Sequence, residues 1–168
     1  MNPDIDLRLK SVLKALTDII LPALPADESM AREQARLVLG HLDIIAAQWK
    51  LALKLELSNL ALACELASDL AALNYDSALG DSLIAALAEA AEVDRGDYDA
   101  VSHAHRALKA VIDRLLAPHH EERLAPAMTA AVLRYNAVRA ERERIWHGAA
   151  GLDPDAARLP PIAALFEP

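Results

Sequence analysis

Cysteine, glycine and aromatic residues are scarce in this sequence, and each shortage narrows what the chain can be. The single cysteine, Cys64, rules out an internal disulfide. Five glycines, 4% aromatic residues and an apolar fraction of 54%, much of it Ala and Leu, describe a soluble all-α protein. Positive charge is also short, with 17 Lys and Arg against 25 Asp and Glu, a formal net charge of −8. That balance speaks against a nucleic-acid backbone as partner, which needs clustered Lys and Arg. It equally disfavours an anionic membrane surface. No Gly-rich phosphate loop, Gly-x-Ser-x-Gly elbow or Cys-x-x-Cys pair occurs. Nor is there a tandem repeat, a low-complexity linker or a helix-turn-helix with a basic recognition helix. The opening Met-Asn-Pro-Asp-Ile-Asp lacks a basic region followed by an apolar core, so no signal peptide is expected and the expected location is the cytoplasm. No cofactor is implied. A length of 168 residues suits one domain with a real core.

What the chain does have is a long helical stretch, Ala26 to Asn74, with no proline and only Gly40. At helical rise it makes a rod of roughly 70 Å. One apolar stripe runs Val38, Leu42, Ile45, Trp49, Leu53, Leu57, Leu60, Cys64, Ala67, Ala71 in steps of three or four. On that stripe the thiol counts as a small hydrophobe. A second stripe runs Leu37, Ile44, Leu51, Leu55, Leu62, Leu66, Leu73, roughly 150° away at ~100° per residue. Asp43, Lys50, Lys54, Glu65 and Ser68 form a polar wedge between them on one side. A helix with two stripes must contact something on both sides. It is either the central helix of a bundle or a helix whose second stripe is a subunit interface. Residues 51–57 also alternate with period two, as a half-buried strand does. They are Leu, Ala, Lys and Glu, however, with no β-branched residue, and so favour helix. Lys54, Glu56, Glu65 and Asp69 interrupt the run and exclude a membrane span of ~20 uncharged residues.

In order, Asp4 caps a first helix to about Leu21, with Ile5, Leu9, Val12, Leu13, Leu16, Ile19 and Ile20 inward. Pro22 and Pro25 end it. Asp27 is the expected cap of the long helix, about 27–74, which ends near Asn74-Tyr75-Asp76. A helix at about Ser77–Glu92 follows, with Leu79, Leu83, Ile84, Leu87 and Ala91 inward. After the turn cluster 94–97, Asp97 caps a helix to about Ala117. Pro118-His-His-Glu-Glu122 is a connector. Pro126 starts the last helix, which Gly148 closes, with Met128, Ala131, Val132, Tyr135, Val138, Ile145 and Trp146 inward. The tail, 151–168, carries Pro154, Pro160 and Pro161 beside Leu152, Leu159, Ile162, Leu165 and Phe166. It is expected to be extended and docked on an apolar surface. The fold class is thus an antiparallel bundle of about five helices, residues 1–150, with a docked Pro-rich tail in the same domain.

Two charges fall where the helical wheel is apolar. Arg142 lies between Tyr135, Val138 and Trp146, with Arg139 at the edge. Glu56 lies between Trp49 and Leu60. A buried Glu without a partner costs several kcal/mol or takes a proton. The structural reading pairs Glu56 with an Arg or Lys, Arg142 being one candidate. The functional reading makes Trp49, Glu56, Tyr135, Arg139, Arg142 and Trp146 the lining of a pocket for a small anionic ligand. Asp99 and His103, four apart on one helix, are the best candidate metal pair. His103 points away from the apolar face, His105 sits at its margin, and no Glu-x-x-His motif occurs. Most of the run Arg139 to Arg144 alternates in sign as a solvated face does.

The segment Leu13-Lys-Ala-Leu-Thr-Asp-Ile-Ile-Leu-Pro-Ala-Leu-Pro, continuing through Ala31 to Leu51, resembles the start of an uncharacterised bacterial helical family. Members of that family are encoded near acyl-CoA dehydrogenases and aminoglycoside-phosphotransferase-like kinases. The resemblance covers the first third of the chain. It implies an accessory role in acyl-CoA or aromatic catabolism and transfers no catalytic residue. From the residues themselves the leading expectation is a non-enzymatic protein acting by association, a homodimer through the second stripe or the apolar tail. The alternative is a ligand-binding bundle or small enzyme.

Overall fold

A computed structural model describes residues 4–73, 77–117, 124–148 and 153–166, with Ser77 described by its backbone alone. The expected helix end at Asn74-Tyr75-Asp76, the connector 118–122 with its two histidines, and Leu152 lie outside the described residues. The protein is an all-α helical bundle with no strand among the described residues. Its contacts divide into two compact units, residues 1–50 with 143–168, and residues 51–142.

The first unit opens with α1, Ile5–Ala15, capped as expected by Asp4, whose carboxylate accepts from the Leu7 N–H at 2.8 Å. The helical path does not run regularly to Leu21. It widens into a π turn, Leu16–Ile20, where the Leu21 N–H reaches back to the Leu16 carbonyl, before the short α2, Leu21–Ala23. Pro22 accounts for the widening, since its ring crowds the carbonyl of the preceding turn in an α-helix. Leu24 is extended, the conformation a following proline favours. The Arg32 guanidinium donates to the Leu24 carbonyl at 2.8 Å and the Leu21 carbonyl at 3.4 Å, tying α2 to α3. Asp27 does not cap α3. The helix starts at Ser29, Glu28 is its N-cap residue without a side-chain bond, and Asp27 uses its backbone carbonyl on the Ser29 N–H.

α3 is Ser29–Gln48, and α4 is Ala52–Ala72. The expected long rod is therefore helical throughout but changes to a 3-10 turn at Trp49–Leu51, where the two units meet in sequence. No Pro or Gly causes the change. Trp49 and Lys50 are both bound to Asp6 at the start of α1, and Leu51 relaxes to φ −107°. Tertiary bonds here outweigh a helical propensity worth only tenths of a kcal/mol per residue.

The second unit holds α4, α5 (Ser77–Ala91), α6 (Tyr98–Leu116) and most of α7 (Pro126–Trp146). Leu60, Ala63, Leu66, Ala67 and Leu70 of α4 are buried at steps of three or four against Leu83, Leu108, Ile112 and Met128. Asp97 caps α6 as expected, accepting from the N–H groups of Asp99 and Ala100. Three residues of this unit expected inward are not inward: Ile84, Ala91 and Val138 are exposed. The long stretch's two-stripe pattern resolves differently in its two halves. In α4 both stripes are at least half-buried within the unit, so α4 is a central helix. In α3 Leu37, Val38 and Ile45 remain exposed.

The tail is neither helical nor fully extended. It forms 3-10 turns at Ala156–Arg158 and Ile162–Phe166. Arg144 holds Asp153 with two bonds of 2.7 and 3.1 Å, and Leu159 packs on Gly148. Leu159, Ile162, Leu165 and Phe166 are half-buried, so the tail is docked inside the first unit.

Candidate functional site

The residues singled out by the helical wheel go to different places. Glu56 on α4 faces His105 on α6, with Oε1 2.9 Å from Nδ1 and both side chains mostly buried. The expected Arg or Lys partner is thus a histidine, found from the margin of the α6 apolar face. Arg142 instead donates to the Ser58 carbonyl at 3.3 Å, using the second lone pair a helical carbonyl retains. Glu56 and Arg142 are each satisfied separately. Truncating one partner of the Glu56–His105 pair leaves the other polar group half-buried and unpaired, a cost of about 1–3 kcal/mol. Glu56→Leu and His105→Leu should each destabilise the protein to urea by about that much. The double variant should lose less than the two single losses combined, and a strictly additive double-mutant cycle would mean that the pair does not couple.

The six pocket candidates do not share one lining. Tyr135 and Arg139 border a cavity of about 100 Å³ on the second unit, with Leu66 and Ile112. Trp146 lines a separate, mainly apolar cleft of about 310 Å³ on the first unit, formed with Pro160, Pro161 and Ile162. Trp49 is engaged elsewhere: its indole N–H donates to Asp6 at 3.1 Å and its ring lies under the Lys50 ammonium, 5.3 Å from the centroid. His103 is exposed on the rim of a cavity of about 340 Å³ with Glu89 and Asp94. The backbone N–H of Asp99 is bonded to Asp97 at the cap. Among the described residues no group of three or more His, Cys, Asp or Glu is placed to hold a metal ion. Cys64 borders a groove of about 330 Å³ with Leu57, Leu60, Leu87 and Arg95, and burial pushes its thiol above the usual range. A protonated thiol is a poor nucleophile.

The largest unexplained feature is apolar. No residue in 4–50 is buried. Nine large hydrophobic side chains there are exposed, including Ile5, Leu7, Ile19, Met30, Leu37, Val38 and Ile45. On α1 and its π turn only Leu9, Leu13 and Leu16 of the expected inward face are even half-buried. Polar bonds also tie the unit together: Arg32 to the α2 carbonyls, Gln48 to the Trp146 carbonyl at 2.9 Å, Trp49 and Lys50 to Asp6, and Arg144 to Asp153. None of these had a local sequence signature.

Two of those carboxylates titrate below their ordinary value of 3.8. For Asp6 the Lys50 hydrogen bond is the main cause; for Asp153 it is the Arg144 hydrogen bond. A depressed folded-state value means a stabilising contribution that is present above the unfolded value and lost as pH falls through the folded one. Tryptophan emission from Trp49 and Trp146 should therefore hold steady down to about pH 4 and change below it. Asp6→Asn should remove the Trp49 part of that change. An unaltered acid transition in the variant would show that Asp6 does not carry it.

Among the described residues no helix is long and apolar enough to cross a membrane. No family model, curated protein or solved structure matches this chain.

Proposed function

We propose that this chain is a non-enzymatic accessory protein that acts by association, and that its N-terminal unit is where two copies meet to form a homodimer. The observation that supports this reading is the exposed apolar surface of residues 4–50, which has no buried core of its own. Exposed apolar patches of this kind mark interaction sites on folded chains. Charge is compatible with a second copy as the partner. The exposed segment, residues 1–50, carries seven carboxylates against six Lys and Arg. Two copies of that segment therefore meet with little mutual repulsion. The ligand reading is the weaker one, because Glu56 and Arg142 already have protein partners and the tryptophans belong to the other unit.

An association protein in the cytoplasm suits the accessory role that the N-terminal resemblance implies. Native mass spectrometry beside the denatured mass is the test. A bare dimer, twice the 18.1 kDa chain, is the expected result. A monomer retaining extra mass that is lost on denaturation would replace this reading with the ligand one. A bare monomer would remove it.

A further inference from the structure

The exposed face of α3 has a symmetry of its own. Met30, Gln34, Leu37, Val38, His41 and Ile45 are all exposed and lie on one side of the helix. They are placed evenly about the peptide bond between Leu37 and Val38. Met30 and Ile45 are equally far from it on either side, and so are Gln34 and His41. A two-fold interface requires one patch to be complementary to itself. This face meets that requirement in only one orientation.

We infer that two copies of the chain pair through α3 in antiparallel fashion, with the two-fold axis passing beside Leu37–Val38. The inference rests on the self-association reading and adds the surface and its register. In that arrangement Met30 packs on Ile45 of the second copy, and Leu37 on its Val38. Gln34 meets the second copy's His41, an amide that can donate or accept beside an imidazole. Each apolar side chain finds an apolar partner and each polar one a polar partner. A parallel pairing would set His41 against His41 and would align the two helix dipoles unfavourably. No Asp, Glu, Lys or Arg lies on the face, so the pairing buries no formal charge other than a protonated His41. A single helix pair is small beside interfaces of ~1,200–2,000 Å², so the association depends on concentration.

Cross-linking of the full chain tests the register. Cys64 is first replaced by Ser, and Met30→Cys and Ile45→Cys are made separately in that background. Both positions are exposed in the single chain, so folding is not at stake. In an antiparallel pair the two copies of position 30 are ~22 Å apart along the axis, beyond a short bis-maleimide. Each variant alone should therefore stay uncross-linked. Mixed and re-equilibrated under reducing conditions, they should yield a cross-linked dimer from close to half of the chains. Native mass spectrometry of the reduced variants runs in parallel. Cross-linking of Met30→Cys with itself would overturn the register in favour of a parallel pair. A dimer by mass with no cross-link in the mixture would overturn the surface and leave self-association standing. A monomer by mass would remove both.

Discussion

Replacing Leu37 and Ile45 of α3 together by Glu should convert the proposed dimer to a monomer without loss of helicity. Both side chains are about half exposed in the single chain, so neither belongs to a buried core. Glu is also as good a helix former as Leu within a few tenths of a kcal/mol. Across the pairing, however, each change buries a carboxylate against apolar atoms of the second copy. An unpaired charge so placed costs several kcal/mol, and a combined loss of about 3 kcal/mol or more weakens association by at least ~100-fold. Light scattering after gel filtration would report the fall in mass, and circular dichroism would report the retained helix. Asp43→Ala, on the opposite, polar side of α3, should leave the mass unchanged. An unchanged dimer in the double variant would place the interface elsewhere.

The second large effect belongs to the core of the other unit. Leu70 is fully buried at the end of α4, in the cluster that includes Leu83, Leu108 and Met128. Leu70→Ala removes three carbons from a site whose neighbours come from several helices and cannot all collapse inward. The expected cost is about 2–5 kcal/mol, roughly 5–15 °C in midpoint for a chain of this size. Leu133→Ala provides the contrast. Leu133 is 62% exposed, and the change should stay within about 0.5 kcal/mol. Equal losses at the two positions in urea unfolding would mean that the α4-centred core does not carry the unit's stability.

The sequence made the helices legible because their signals are local. Steps of three and four along α4 and α6, the caps at Asp4 and Asp97, and Pro126 at the start of α7 each declare themselves within a few residues. The two-stripe pattern of residues 27–74 also posed a choice between a central helix and an interface. It did not show that α4 takes the first role while α3 keeps an exposed face. That division begins at the 3-10 turn of Trp49–Leu51, set by bonds to Asp6 more than forty residues earlier.

The candidate site was less legible for the same reason. The helical wheel found Glu56 and Arg142 as charges on apolar faces, but a wheel shows one helix and not what it meets. His105 and the Ser58 carbonyl, the actual partners, come from another helix and from the backbone. Met30 drew no notice, since it lies before the stripes begin. The symmetry of the α3 face was present in the sequence, but it became visible once exposure picked out which members of both stripes share that face.

Methionine oxidation reads the α3 face directly, because the chain carries its own reference. Met30 on α3 is 68% exposed in the single chain, whereas Met128 is fully buried in the core. Brief hydroxyl-radical labelling over a concentration series, read by peptide mass, compares the two. If a second copy covers α3, Met30 should be protected at high protein concentration and become reactive on dilution, with Met128 protected throughout. A Met30 that oxidises as a free side chain at every concentration would contradict pairing through α3.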